Sequence, residues 1–283
     1  HEFDLSKEIP IKVNITNDEF CCVIDHIAFD GWSTSLFLKE IEAFYDKKEL
    51  EQLPYQYKDY SACQYSFLNS DRKQQQLKYW KKELGNFKGV YLADKITSKN
   101  QQMAGGDEYF HIDDKQYEKL QQLIKKNDLT MHNILLSIFY LMSAKITKQS
   151  KIAIAIPTLN RNVAGVDKLI GLFVNQLLLQ IEINETDTFI TFVNKLNEKV
   201  VSAQSNQDVP LEQVLEENKI QLSGNTLYFG IQGFKGEALS HSNLFEGIKE
   251  MNQQVQKDAF SDLTLFVWGQ TLDFNYAKDL FQP

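Results

Sequence analysis

Between Leu177 and Val200 the hydrophobic period of the sequence changes from two to about 3.6. Leu177, Leu179, Ile181 and Ile183 alternate as a strand does, and Phe189, Phe192, Val193, Leu196 and Val200 then recur at helical spacing. A strand that runs directly into an amphipathic helix has to bury one face of each, which makes a layered α/β architecture the economical solution. The same switch recurs. "IPIKVNI" and "FCCVIDHIAF" read as strands, and Phe37, Ile41, Phe44 and Tyr45 mark the helix after Gly31, with Ser33 or Ser35 as N-cap. Helices are expected at "DRKQQQLKYWKKELG", near Lys115 to Asn127 and from Met131 to Ile146 after a Thr130 cap. "KIAIAIP", "TLYFGIQ", "DLTLFVW" and "TLDFNY" add strands, with "WGQT" as a hairpin turn.

"LPYQYKDYSACQYSFLNS" has no clean period, and "LADKITSKNQQMAGGD" reads as a linker because it is polar, glycine-bearing and unpatterned. The lobe boundary is placed there, giving residues 1–100 and 101–283. At 283 residues and 43% hydrophobic content the chain can fill the core of one large domain or of two ordinary ones.

Composition removes several function classes. The net charge is -8, from 30 basic and 38 acidic side chains without a dense basic tract, which argues against a nucleic-acid partner. No apolar run is long enough to span a bilayer, so no membrane partner is expected. Cys21, Cys22 and Cys63 form neither a disulfide framework nor a zinc-ligand pattern, and fit a reduced, cytoplasmic setting without a metal. Gly-x-Ser-x-Gly, Walker, Gly-x-Gly-x-x-Gly and His-Glu-x-x-His motifs are all missing.

The chemistry concentrates in "VIDHIAFDGWS", residues 23–33. Alternation along a strand would send Asp25 and His26 to opposite faces, with His26 at the strand end before a turn and a helix. A neutral imidazole there can take a proton from an attacking amine or hydroxyl near pH 7, which acyl transfer requires. Asp30 can orient that imidazole, or pair with a distant cation and fix the loop, and the pattern leaves both open. With five histidines and 38 acidic residues, about 0.7 His-x-x-x-acid matches arise by chance, so context has to decide. His111 at a strand-like start, His132 at the head of an apolar helix, His241 in a polar loop and the terminal His1 carry no comparable signal.

The order of motifs resembles the condensation domain of nonribosomal peptide synthetases. "DHIAFDGWS" is similar to that family's His-His-x-x-x-Asp-Gly-Trp-Ser core, "YKDYSACQ" to its Tyr-x-Asp-Tyr-Ala-x-Trp-Gln segment and "YWKKEL" to its Tyr-Trp-x-x-x-Leu helix. "PTLNRN", "IGLFVNQLLLQ" and "NQDVPLE" follow in order, and "FSDLTLFV" with "FNYAKDLF" resembles the closing strands.

The resemblance implies two chloramphenicol-acetyltransferase-like lobes in a V-shaped arrangement, with the N-terminal lobe incomplete because the match begins inside it. It implies amide-bond formation between a donor acyl or peptidyl thioester and an acceptor aminoacyl thioester. The chain would bind no cofactor directly. Carrier protein domains would present phosphopantetheine arms, beside an adenylation domain of the same assembly line. His26 and Gly31 would then be catalytic, Asp30 structural and paired with Arg161, and Asp25 a support residue standing where the family has its first histidine. Trp32, Ser33, Asn175 and Gln207 become candidates for lining the substrate cleft, while Asp208, Pro210, Tyr57, Asp59 and Tyr60 read as scaffold. Competing readings are an acyltransferase of the same superfamily using acyl-CoA or a soluble acceptor, a degenerate domain that only docks carriers, and an epimerisation domain.

Overall fold

The computed structural model describes residues 3–16, 19–85, 87, 104–220, 226–231 and 259–281. The expected strand and helix alternation is present as a mixed α/β fold whose chain divides into two compact units. The units are not contiguous in sequence. The first takes residues 1–69 and 159–174, and the second takes 70–158 and 175–235 with the C-terminal strands. The boundary expected near residue 100 lies outside the described residues; the segment 71–84 groups with the second unit, and 159–174 with the first.

In the first unit β1 (Ile11–Ile15) and β2 (Phe20–Ile24) form an antiparallel pair in which Ile11 opposes Ile24, Val13 opposes Cys22 and Ile15 opposes Phe20. Those six side chains share one apolar face, which stays partly open to solvent. Helix α1 (Gly31–Tyr45) follows, then α2 (Tyr57–Leu68). Sequence periodicity missed α2 because it buries no residue fully. Asp59 accepts from the Gln56 N–H at 2.8 Å to close its first turn, and Tyr57 and Tyr60, three apart, pack on a core of Val166, Leu169 and Phe173.

Gly171 is fixed by that packing. A Cβ there would meet the Tyr57 ring at 2.2 Å, and the Tyr57 hydroxyl donates to the Leu172 carbonyl at 2.8 Å. Burial pushes the Tyr57 phenol up; the Asp30 charge adds to that shift and Arg161 opposes it.

The second unit holds a six-stranded mixed sheet, in the order β3 (Gly105–His111), β8 (Thr271–Ala277), β7 (Leu263–Trp268), β6 (Leu227–Ile231), β4 (Lys151–Thr158) and β5 (Asn175–Glu182). Ile152, Ile154 and Ile156 of β4 oppose Ile181, Leu179 and Leu177 of β5, giving the apolar layer that the alternation expected. Helices α5 (Met131–Thr147) and α6 (Phe189–Gln204) pack beside it, and the Tyr140 hydroxyl donates to the Leu179 carbonyl at 2.6 Å. α3 (Asp71–Leu84) and α4 (Asp114–Asn127) precede them, and the short α7 (Leu211–Glu217) follows.

Thr130 caps α5 as read from the sequence, and "WGQT" is the hairpin between β7 and β8, with Gly269 at φ +58° in its first central position. Three expectations change. His111 ends β3 rather than opening a strand, because the supposed linker becomes strand at Gly105. The run "LIGLFVNQ" turns to strand only at Asn175, its first six residues belonging to the first unit. The N-cap of α1 is Asp30, not Ser33 or Ser35. No single helix among the described residues is long and apolar enough to cross a membrane.

Candidate active site

The strand that leads to the motif ends two residues before His26, where alternation would have ended it. β2 stops at Ile24, and His26–Ala28 form a single 3₁₀ turn capped by Asp25, whose Oδ1 accepts from the Ile27 N–H at 2.9 Å. Asp25 and His26 therefore do not sit on opposite faces of one strand. A short acceptor side chain at the strand end competes with the ladder and bends the backbone into a turn. The Asp25 N–H donates to the Pro10 carbonyl at 2.9 Å, which ties the turn to the neighbouring chain segment. The half-buried Asp25 carboxylate thus has a partner, and its charge needs no cation.

His26 is exposed, and its imidazole makes no hydrogen bond among the described residues. Three residues on, Phe29 leaves the turn by donating to the His26 carbonyl, and its ring meets Phe37 of α1 edge-on at 5.8 Å. Asp30 then caps α1: its Oδ1 accepts from the Ser33 N–H at 2.9 Å and lies 2.8 Å from the Ser33 hydroxyl.

Asp30 does more than cap. Arg161 Nη2 lies 2.9 Å from Oδ1 and 3.1 Å from Oδ2, and the Phe173 N–H donates to Oδ2 at 3.0 Å. The other guanidinium arm, Nη1, donates to the carbonyls of Val166 and Leu169, each at 2.7 Å, and the plane stacks 3.9 Å from the Phe173 ring centroid. The Ser33 hydroxyl accepts from the Gly171 N–H at 3.1 Å. Trp32 Nε1 donates to the Asp167 carbonyl at 2.9 Å. Of the four residues Asp-Gly-Trp-Ser, three are thus spent on holding the segment 161–173, and Gly31 and His26 are left facing solvent. The two alternatives for Asp30 resolve toward the ion pair with Arg161.

Asn175 and Gln207 lie in the second unit, and their side chains bond within it. Asn175 Nδ2 donates to the carbonyls of Gln207 and Val209 at 2.7 and 2.9 Å, and its Oδ1 accepts from the N–H groups of Gln176 and Leu211 at 2.8 and 3.2 Å. Gln207 Oε1 accepts from the Thr158 hydroxyl. Asp208 Oδ2 accepts from Arg72 at 3.0 Å and Gln76 at 2.7 Å. Both side chains serve as fasteners of the 207–211 segment.

Sequence reading missed Ser33 as the hub between Asp30 and Gly171, and the stacking of Phe173 under Arg161. Both lay inside segments singled out for other residues. His132 packs edge-on against Phe229 at 5.3 Å, with burial pushing its pKa down and the Asn133 hydrogen bond opposing; His1 and His241 lie outside the described residues.

Comparison with known proteins meets this geometry from the other side. The condensation domain family model matches residues 1–283. The chain is 31% identical to surfactin synthase subunit 1 of Bacillus subtilis (strain 168) over 281 residues, 96% of this chain but 8% of that protein. A four-domain nonribosomal peptide synthetase bound to AMP and glycine superposes with a TM-score of 0.77 at 21% identity, over 93% of this chain and 22% of that one. The X-domain from teicoplanin biosynthesis superposes at 0.79 with 17% identity, over all of this chain and 70% of that one. The fold is therefore that of the chloramphenicol-acetyltransferase-like condensation domains. With the family model matched from the first residue to the last, over a capped His26 turn and a buried Asp30 and Arg161 pair, the chain belongs to the condensation domain family.

Proposed function

We propose that this chain joins a donor acyl or peptidyl thioester to the amino group of an acceptor aminoacyl thioester, both presented on phosphopantetheine arms of carrier protein domains. Condensation domains form peptide bonds as a family. The observation that carries the assignment to this chain is the exposed imidazole of His26, which makes no hydrogen bond among the described residues, on a turn fixed at both ends. Such a group is free to meet a substrate while its backbone cannot drift.

In its neutral form His26 accepts a proton from the acceptor's amino group as the nitrogen attacks the donor thioester carbonyl. The carbon–nitrogen bond forms and the carbon–sulfur bond breaks. The sulfur leaves as the donor arm's thiol, carrying the proton that the imidazole took. Gly31 is the first residue of a 15-residue helix, and with no Cβ it lets the thioester approach the backbone at the positive end of that helix. Asp30 and Arg161 act on the reaction only by holding this corner in place.

The partners are carrier domains with an adjacent adenylation domain, in the cytoplasm, where the free thiols of Cys21, Cys22 and Cys63 stay reduced. A single-turnover assay with loaded donor and acceptor carriers tests the reading. His26→Ala is expected to lower peptidyl transfer by about 10²- to 10⁴-fold with carrier binding intact. Equal transfer by His26→Ala ends the general-base assignment. A parent chain that binds both carriers without forming product is a docking domain, and one served equally by acyl-CoA is a soluble-substrate acyltransferase.

A further inference from the structure

We infer that Asp25 is a positioning residue for His26, acting through the hydrogen-bond acceptor of its side chain and not through its charge. The inference rests on the proposed role of His26. Three bonds converge on Asp25: its N–H donates to the Pro10 carbonyl at 2.9 Å, its Oδ1 accepts from Ile27 N–H at 2.9 Å, and its carbonyl accepts from Ala28 N–H at 3.1 Å. The first anchors the residue to Pro10, just before β1, and the other two close the 3₁₀ turn that begins at His26.

A 3₁₀ turn of three residues has poor intrinsic hydrogen-bond geometry and needs an external lock. The exit is locked by Asp30, at the head of α1, through Ser33 and Arg161. The entry is locked by Asp25. His26, with no hydrogen bond of its own among the described residues, takes its position entirely from these two caps.

Charge plays no part at the entry. Among the described residues no Lys, Arg or His forms an ion pair with Asp25, whereas Asp30 is paired with a buried Arg161. The two aspartates therefore serve different ends with the same side chain. One lends an oxygen; the other lends an oxygen and a charge. The acceptor at residue 25 fixes the turn that a histidine occupies at that position in the motif this chain resembles, so the departure leaves the site armed.

The test compares Asp25→Asn with Asp25→Ala in the whole chain, by kinetics with loaded carriers and by the NMR signals of the histidine rings. Asparagine keeps the amide oxygen as acceptor and ranks with aspartate as a cap. We expect Asp25→Asn to retain kcat within about twofold, and Asp25→Ala to lose about 10- to 100-fold in kcat with KM unchanged, because loosening a catalytic group by an ångström costs that much. The His26 ring signals are expected to stay dispersed in Asp25→Asn and collapse toward the free-histidine position in Asp25→Ala. An Asn variant as impaired as Ala overturns the acceptor role, and unchanged His26 signals in Ala overturn the positioning role. The ring signals report on the turn even where His26→Ala proves to leave transfer untouched, so failure of the catalytic reading is distinguishable from failure of this one.

Discussion

Arg161 Nη2 stands 2.9 Å and 3.1 Å from the two carboxylate oxygens of Asp30, and the two side chains are 4% and 3% exposed. A buried pair of this kind adds little beyond what a well-packed apolar pair would, but losing one member strands the other. Asp30→Asn keeps the helix cap and removes the charge, leaving a guanidinium in the interior without a counter-ion. The expected cost is about 3–5 kcal/mol in urea unfolding. Arg161→Lys is expected to fall in the same range, since one ammonium cannot serve Asp30 and the carbonyls of Val166 and Leu169 together. The double substitution should cost less than the two single costs added. A near-neutral Asp30→Asn would show that the cap, not the pair, carries this corner.

The second unit contains a carboxyl whose ionisation works against folding. Asp262 is 1% exposed, and burial pushes its pKa up to about 6, although its Oδ2 accepts from the Thr226 N–H at 2.6 Å. The unfolded carboxyl titrates near about 4, so the folded state binds the proton more tightly. Stability from this group is therefore full below about pH 4 and falls as pH rises through about 6, after which it stays level. Asp262→Asn keeps an oxygen for Thr226 and removes the charge. It is expected to match the parent at pH 4 and exceed it by on the order of 2 kcal/mol at pH 8. Denaturant titrations at the two pH values decide this, and parallel curves at both would place the burial cost elsewhere.

The strands of the second unit were legible because Leu177, Leu179 and Ile181 alternate against a layer of helices, and packing of that kind writes itself into the sequence period. The first unit was harder to read. Its centre is polar, built on Asp30, Ser33 and Arg161, and its helix α2 buries no side chain fully, so no apolar stripe announces it. Polar centres are specified by long-range pairing: 131 residues separate Asp30 from Arg161, and only the ordered resemblance to a family brought them together beforehand. The turn at His26 was hidden for a more local reason. Strand alternation extrapolates across Ile24 until a side-chain acceptor stops it, and a period has no way to register a single hydrogen bond.

Asn175 offers the sharpest division between scaffold and substrate contact. Its two amide protons go to the carbonyls of Gln207 and Val209, so Asn175→Asp, of equal size, turns a double donor into an acceptor facing two acceptors. The loss of two bonds and the repulsion that replaces them are expected to cost about 2–4 kcal/mol at pH 8, more than Asn175→Ala, which only deletes the clamp. Acid should relieve the aspartate variant alone, because the protonated carboxyl regains one donor, and the gap to Ala should close below about pH 5. Urea unfolding of the two variants at pH 8 and pH 5 provides the measurement. A substrate-lining Asn175 would behave in the opposite way, with both variants as stable as the parent and only KM for the carrier-bound substrates raised. Because every hydrogen-bonding atom of Asn175 is already engaged within the second unit, the stability change is the expected outcome.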